Sequence, residues 1–393
     1  MPEALIDKIE ALARQCETLR AAGQQTAVEG GLSQARLGTA LAESLAARAA
    51  LERQARELAL AGYRASALAR SLTSPAAVDR RLDGRLDRLR SLGRAVVIER
   101  SGLWAGGEAG RLSRLRAIAA YARRGGDPAA QPKALFDQAW YLAQRPDIVG
   151  ARTSPLVHYL LRGAGEGVDP HPLFRTAFYA ERNGEGLRAG ETPLEHYVRI
   201  GAGEGREPHP LFDVGHYARQ APDLIASGQN PLTHYQQVGV AAGVSPHRLF
   251  DPQFYAAELQ RAGLEAPASL IHYLAEGSAM GLKPHPLFDP AWYREQNPDI
   301  AATGMEPLTH YVLSGGAEGR SPSPWFDAPR YITLRGGDLA AGRNALIDYL
   351  EGGAWAIAEP SPGDSGLAYL SAATEFAASG LTPLEHWARN GAG

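Results

Sequence analysis

The feature that most constrains this chain is a period: from about Lys133 to Gly393 one 38-residue unit is written seven times. Phenylalanine recurs at Phe136, Phe174, Phe212, Phe250, Phe288 and Phe326 without an insertion. Five residues further on, tyrosine occupies all seven copies, Tyr141, Tyr179, Tyr217, Tyr255, Tyr293, Tyr331 and Tyr369. A His-Tyr pair follows at His158-Tyr159, His196-Tyr197, His234-Tyr235, His272-Tyr273 and His310-Tyr311, then changes to Asp348-Tyr349 and His386-Trp387. Glycine stands four residues past that aromatic in every copy, from Gly163 to Gly391. A fixed period of this length is the mark of a repeat architecture, in which each unit buries its apolar face against its neighbours.

Local chemistry assigns the parts of the unit. Asp213, Asp251, Asp289 and Asp327 stand where a helix N-cap belongs, with Pro252 and Pro290 at the first helical position. This short first helix carries Trp140-Tyr141, Phe254-Tyr255 and Trp292-Tyr293 and is expected to end near Pro146-Asp147, Pro222-Asp223 and Pro298-Asp299. Ser154-Pro155, Thr192-Pro193, Asn230-Pro231 and Thr382-Pro383 announce a second helix through Leu-x-His-Tyr, and the column glycine is read as its left-handed C′ residue. The Pro-His-Pro segments at 170–172, 208–210 and 284–286 cannot continue a helix and are read as extended connectors. Two helices of about eight to ten residues bury too little to stand alone, so the Phe and Tyr columns are expected to pack between units. The fold class is all-α, with N-terminal long helices or a coiled coil followed by an α-solenoid of seven helix-pair repeats. At the usual helix-packing distance the array would be roughly 60–70 Å long. The last unit, with Asp364 in the Phe column, reads as a degenerate cap.

Residues 1–75 have no proline between Pro2 and Pro75 and are rich in Ala, Leu, Arg, Glu and Gln. Ile9, Leu12, Cys16 and Leu19 follow coiled-coil spacing, with Leu37, Leu41, Leu51 and Leu58 after the Gly30-Gly31 break. So Ala-rich a stripe needs a partner helix, either in a second copy or in a hairpin of this chain. Residues 76–130 form a basic helical segment: Arg80 to Arg124 holds twelve arginines, with Leu82, Leu86, Leu89 and Leu92 at helical spacing and Leu112, Leu115, Ile118 and Tyr121 closing it. A solvated basic face beside a packed leucine stripe is the favoured account, and an anionic membrane surface the competing one. Residues 1–130 carry 21 Lys+Arg against 14 Asp+Glu, and 131–393 carry 19 against 29, so the chain is electrically two-sided. Asp79, Asp83 and Asp87 interrupt the basic face, and no nucleic-acid partner is expected. The single cysteine implies no disulfide, and no stretch reaches the length of a spanning helix. The expected location is the cytoplasm, including the periphery of the inner membrane face.

No catalytic site, cofactor or metal is expected. Ten of the eleven histidines fall in two columns, the helix set (His158, His196, His234, His272, His310, His386) and the connector set (His171, His209, His247, His285). Equivalent atoms of adjacent units should lie about 8–10 Å apart, whereas zinc needs several ligands about 2 Å from one point. The favoured role is a partly buried histidine that bonds the adjacent connector's backbone. Gly163-x-Gly165-x-Gly167 lacks the Lys-Ser/Thr of a phosphate loop. Pairing Glu166, Glu204 or Glu318 with Asp147, Asp223 or Asp299 as acid and base would repeat one site along the array, which a catalytic pair does not do. Trp140, Trp292 and Trp325 are the candidate glycan or partner contacts, and the Phe, Tyr and His columns the structural core.

Through P-H-P-L-F-D-x-x-x-Y, N-P-D-I, P-L-T-H-Y and G-x-x-E-G-R, complete in residues 284–320, the chain resembles repeats of large bacterial glycosyltransferases and cell-surface polysaccharide biosynthesis proteins. There an Ala/Arg/Leu-rich coiled coil and the array lead into a catalytic domain. This chain reaches Gly393 within a repeat and has no Asp-x-Asp motif, so transferase activity is not carried over. The resemblance implies a setting in surface glycan assembly. The expected function is a non-catalytic scaffold for protein–protein interaction, with a glycosyltransferase or polysaccharide export component as partner and self-association through residues 1–75. The alternative is the accessory region of a glycosyltransferase-type protein, or a carbohydrate-binding module.

Overall fold

The computed structural model describes residues 91–104, 110–122, 132, 135–150, 154–335, 343–352 and 381–390. The expected coiled coil of residues 1–75, Asp364 and Tyr369 lie outside them. The described residues are helical, and their β-type contacts are limited to three isolated bridges, His171–Phe174, His285–Phe288 and Ser323–Phe326.

The first helices of the units are Gln138–Gln144, Thr176–Asn183, Val214–Gln220, Pro252–Arg261, Pro290–Gln296 and Ala328–Leu334. Asp137, Asp213, Asp251, Asp289 and Asp327 cap them by accepting from backbone N–H groups of the first turn, which would otherwise have no partner. Arg175 stands in the same column and cannot accept, so Asp169 of the connector takes the Thr176 N–H at 2.7 Å instead. Burial pushes the Asp169 carboxyl up to about 6. The Pro-Asp dipeptides do more than end the first helix. They begin a further short helix, Pro222–Ser227 and Pro298–Thr303, each closed by a left-handed glycine, Gly228 and Gly304.

The second helices start as expected, with Thr192 in a full capping box with Glu195 and Asn230 accepting from Leu232 and Thr233. Their ends differ from the expectation. After one α-turn the helix widens into a π-turn, Tyr159–Gly163, Tyr197–Gly201, Tyr235–Gly239, Tyr273–Gly277 and Tyr311–Gly315. The column glycine closes that π-turn and is not the left-handed residue. The left-handed residues lie four positions on, at Gly167, Gly205, Gly243, Gly281 and Gly319. There the Gly167 N–H donates to Ala164 O at 3.2 Å and the Val168 N–H to Gly163 O at 2.9 Å, so the helix-ending motif is complete one turn later.

The connectors are buried and do not run over the surface. The backbone N–H of Asp213 donates to Pro246 O at 3.0 Å, and Asp137, Arg175, Asp251 and Asp289 bond Pro170, Pro208, Pro284 and Pro322 in the same way. Each connector is thereby tied to the next. Side chains also join units one, two and three apart. Trp387 stacks edge-on against Trp325 at 5.1 Å, Glu385 reaches His285 at 3.2 Å, Arg248 reaches Glu351 at 3.4 Å, and Arg389 pairs with Asp251.

One apolar core runs from Ala95 to Leu384. It includes Ile98, Ile118 and Tyr121, and the Tyr121 hydroxyl accepts from the Leu156 N–H at 3.2 Å. Tyr235 and Tyr349 accept from Leu270 and Leu384 at the same separation of 35 residues. Tyr121 thus occupies the aromatic column one unit upstream of Tyr159. Leu92 and Leu112, expected in a packed stripe, are exposed.

Candidate functional site

The recurring site is a buried trio of Tyr, His and Gly drawn from the two helices of one unit. The hydroxyls of Tyr141, Tyr179, Tyr217, Tyr255 and Tyr293 meet Nδ1 of His158, His196, His234, His272 and His310 at 2.7 to 2.9 Å, always 17 residues apart. The column glycine is required at the same point. A Cβ on Gly163, Gly201, Gly239, Gly277 or Gly315 would collide with the hydroxyl of the partner tyrosine. These five helix histidines therefore bond a tyrosine, and not a connector's backbone as expected.

In the third unit the chain of bonds is longer, because His234 Nε2 lies 2.8 Å from Asp223 Oδ2. A neutral imidazole that donates Nε2–H to the carboxylate leaves Nδ1 to accept the proton of Tyr217. The order of groups is that of a hydroxyl-imidazole-carboxylate relay, yet the hydroxyl that would react is sealed in the core, since Tyr217 is buried. Desolvation by burial holds His158, His196 and His310 below the usual histidine range, so they stay neutral near pH 7.

The connector histidines His171, His209, His247 and His285 are buried too. Each accepts at Nδ1 the N–H of the leucine two residues on, at 3.0 to 3.2 Å, so each fixes the turn of its own connector and not that of its neighbour. Burial lowers His171 and His247 to about 4 and His209 to about 3. Across the array, His171 Nε2 faces the Gln236 amide at 2.8 Å. Among the described residues no group of three or more His, Cys, Asp or Glu is placed to hold a metal ion.

The surface carboxylates weighed as acid and base are bound to arginine instead. Arg145 holds both Asp147 and Glu166, Arg320 holds both Asp299 and Glu318, and Arg206 holds Glu204. Of the paired candidates only Asp223 faces a histidine. Phe136, Phe174, Phe212, Phe250, Phe288 and Phe326, like Tyr141, Tyr159, Tyr179, Tyr197, Tyr235, Tyr255, Tyr273, Tyr293 and Tyr311, are buried. The three candidate contact tryptophans are half-buried and not exposed; Trp325 is packed on Trp387, while Trp140 and Trp292 hold the same column on the first helices. Two participants were not anticipated, Tyr121 and Asp169. Stepping back 38 residues from Tyr159 and Gly163 lands on Tyr121 and Gly125, which is the signal that finds the first.

Compared with known families, with curated proteins and with solved structures, the chain matches none of them.

Proposed function

We propose that residues 131–393 form a wound α-solenoid that acts as a non-catalytic scaffold in bacterial surface glycan assembly, binding a glycosyltransferase or polysaccharide export component, in the cytoplasm. The observation that carries this reading is the use of the reactive side chains. In unit after unit the imidazoles and phenols are bonded to one another inside the core, and the carboxylates outside are bound to arginine. Chemistry repeated identically along an array serves the array itself. Tight winding follows from Glu385–His285 and Arg389–Asp251, which bridge units two and three apart. Self-association through residues 1–75 belongs to the same reading.

The test is capture from native lysate with the full chain as bait. Enrichment of a glycosyltransferase or an export component supports the scaffold, and its failure in favour of retained polysaccharide sinks it. The second reading, glycan binding, rests on the half-buried Trp140, His216, Phe254 and Trp292, which fall in one column on the first helices, where Phe178 of the same column is buried. For that reading, a Trp140→Ala, Trp292→Ala chain should lose retention on immobilised polysaccharide while keeping its melting temperature.

A further inference from the structure

The array exposes single large apolar side chains, Leu161, Val238, Leu313 and Leu334, on separate helices, whereas the N-terminal end of the described structure places three on two helices joined by an ion pair. Helix 91–101 turns Ser91, Ala95, Ile98 and Ser101 into the core and leaves Leu92 and Val96 on its other side, 53% and 49% exposed. The neighbouring helix Arg111–Ala122, joined to it by the Arg114–Glu99 pair at 2.9 Å, leaves Leu112 75% exposed. Three large apolar side chains open to water on two short helices are costly unless something covers them. In sequence, Leu82, Leu86 and Leu89 fall at helical spacing before Leu92.

Charge identifies what covers them. Arg100 and Arg116 are exposed, follow Val96 and Leu112 by one helical turn, and make no ion pair among the described residues. In the array, by contrast, Asp147, Glu166, Glu191, Glu204, Asp299 and Glu318 are each held by an arginine of the same array. The array's carboxylates are largely engaged, so the basic end gains little from pairing with a second copy's acidic surface. Unpaired arginines flanking exposed leucine and valine match the interface of an anionic bilayer, where the apolar side chains enter the acyl boundary and the guanidinium groups meet phosphate. We propose that this end, Leu92, Val96 and Leu112 with Arg100 and Arg116, docks on an anionic lipid surface. The acidic array then projects away from the membrane, since 131–393 carry 19 Lys+Arg against 29 Asp+Glu. The inference goes beyond the scaffold reading and stands or falls separately from it.

The experiment is co-sedimentation of the full chain with vesicles of phosphatidylcholine alone or with about one third phosphatidylglycerol. Binding to the anionic vesicles should be at least about tenfold tighter than to the neutral ones and should vanish near ~0.5 M salt. Leu92→Ser, Val96→Ser and Leu112→Ser together should abolish it. Arg100→Glu with Arg116→Glu should weaken it about tenfold, and because all five positions are exposed or at the surface both variants should melt like the parent chain. Absence of binding to either vesicle overturns the proposal, as does equal binding by the parent chain and both variants. If the parent chain ignores vesicles and the Leu/Val variant instead converts an oligomer to a monomer, the face belongs to a second copy and the lipid assignment is wrong.

Discussion

In the unit spanning 285–322 the hydroxyl of Tyr293 meets Nδ1 of His310 at 2.9 Å, and one unit later the equivalent hydroxyl of Tyr331 donates to Asp348 at 2.7 Å. The two acceptors differ by a full charge. Where the acceptor is a neutral imidazole, the flanking positions hold Asn297 and Met305, and Asn297 donates to the Tyr293 carbonyl at 2.7 Å. Where it is a buried carboxylate, the same two columns hold Arg335 and Arg343, which reach Asp348 at 3.1 and 3.3 Å. The site thus demands an acceptor beneath the tyrosine, and histidine is one of two ways to supply it. A carboxylate there needs counter-charges, because an unpaired ion at 4% exposure is strongly disfavoured.

The sharpest way to break this comparison is Asp348→Ala, which strands two arginines and a phenol. Urea unfolding should show a loss of about 3–5 kcal/mol, and a loss under about 1 kcal/mol would make the cluster a mere surface pair. The reverse exchange, His310→Asp, should cost about 3 kcal/mol, and adding Asn297→Arg and Met305→Arg should recover a large part of it. Gly315→Ala should cost about 2–3 kcal/mol through collision with the Tyr293 hydroxyl and the approach of His310 Nδ1 at 3.2 Å. Combined with Tyr293→Phe, which removes the hydroxyl, the cost should fall short of the sum by at least about 1 kcal/mol in a double-mutant cycle. Tyr217→Phe alone, which leaves His234 Nδ1 without its donor, should cost about 1–2 kcal/mol.

The smallest effect per residue is titration. The folded-state pKa values of His158, His196 and His310 are depressed by burial, and those of His171 and His247 lie at about 4. Each therefore contributes stability that is whole above the unfolded histidine value near ~6.5 and is lost as the pH falls through the lowered folded value, which for His171 and His247 is about 4. Unfolding free energy measured at falling pH should begin to drop near pH 6, with part of the loss offset by Asp169, whose carboxyl at about 6 takes up its proton first in the folded state. A flat profile between pH 7 and 5 would show that these imidazoles are not held neutral.

Much of the unit was legible from spacing. Asp213, Asp251, Asp289 and Asp327 cap the helices they announce, because a cap bond joins residues two or three apart and shows directly in sequence. The column glycine was misread for an equally physical reason. Each unit offers two glycines near the helix end, such as Gly163 and Gly167, and local rules favour a left-handed residue at the first. What decides is the Tyr141 hydroxyl, brought in from the other helix to the point where a Cβ would sit. Tyr121 was read as closing a basic helix and not as a member of the aromatic column, because its own unit has Ile98 and Leu103 in place of the Phe and Tyr columns and so loses the pattern while keeping the packing.

The sequence by itself determined the period, the helix starts, the identity of the buried columns and the charge division between the two parts, since these depend on residues near one another or on counting. Tertiary structure alone decided that the connectors are buried, that His171 meets Gln236, and that the last helix reaches Trp325, His285 and Asp251. Contacts of that kind depend on the rotation between successive units, summed over as many as three of them, and no local signal records that sum.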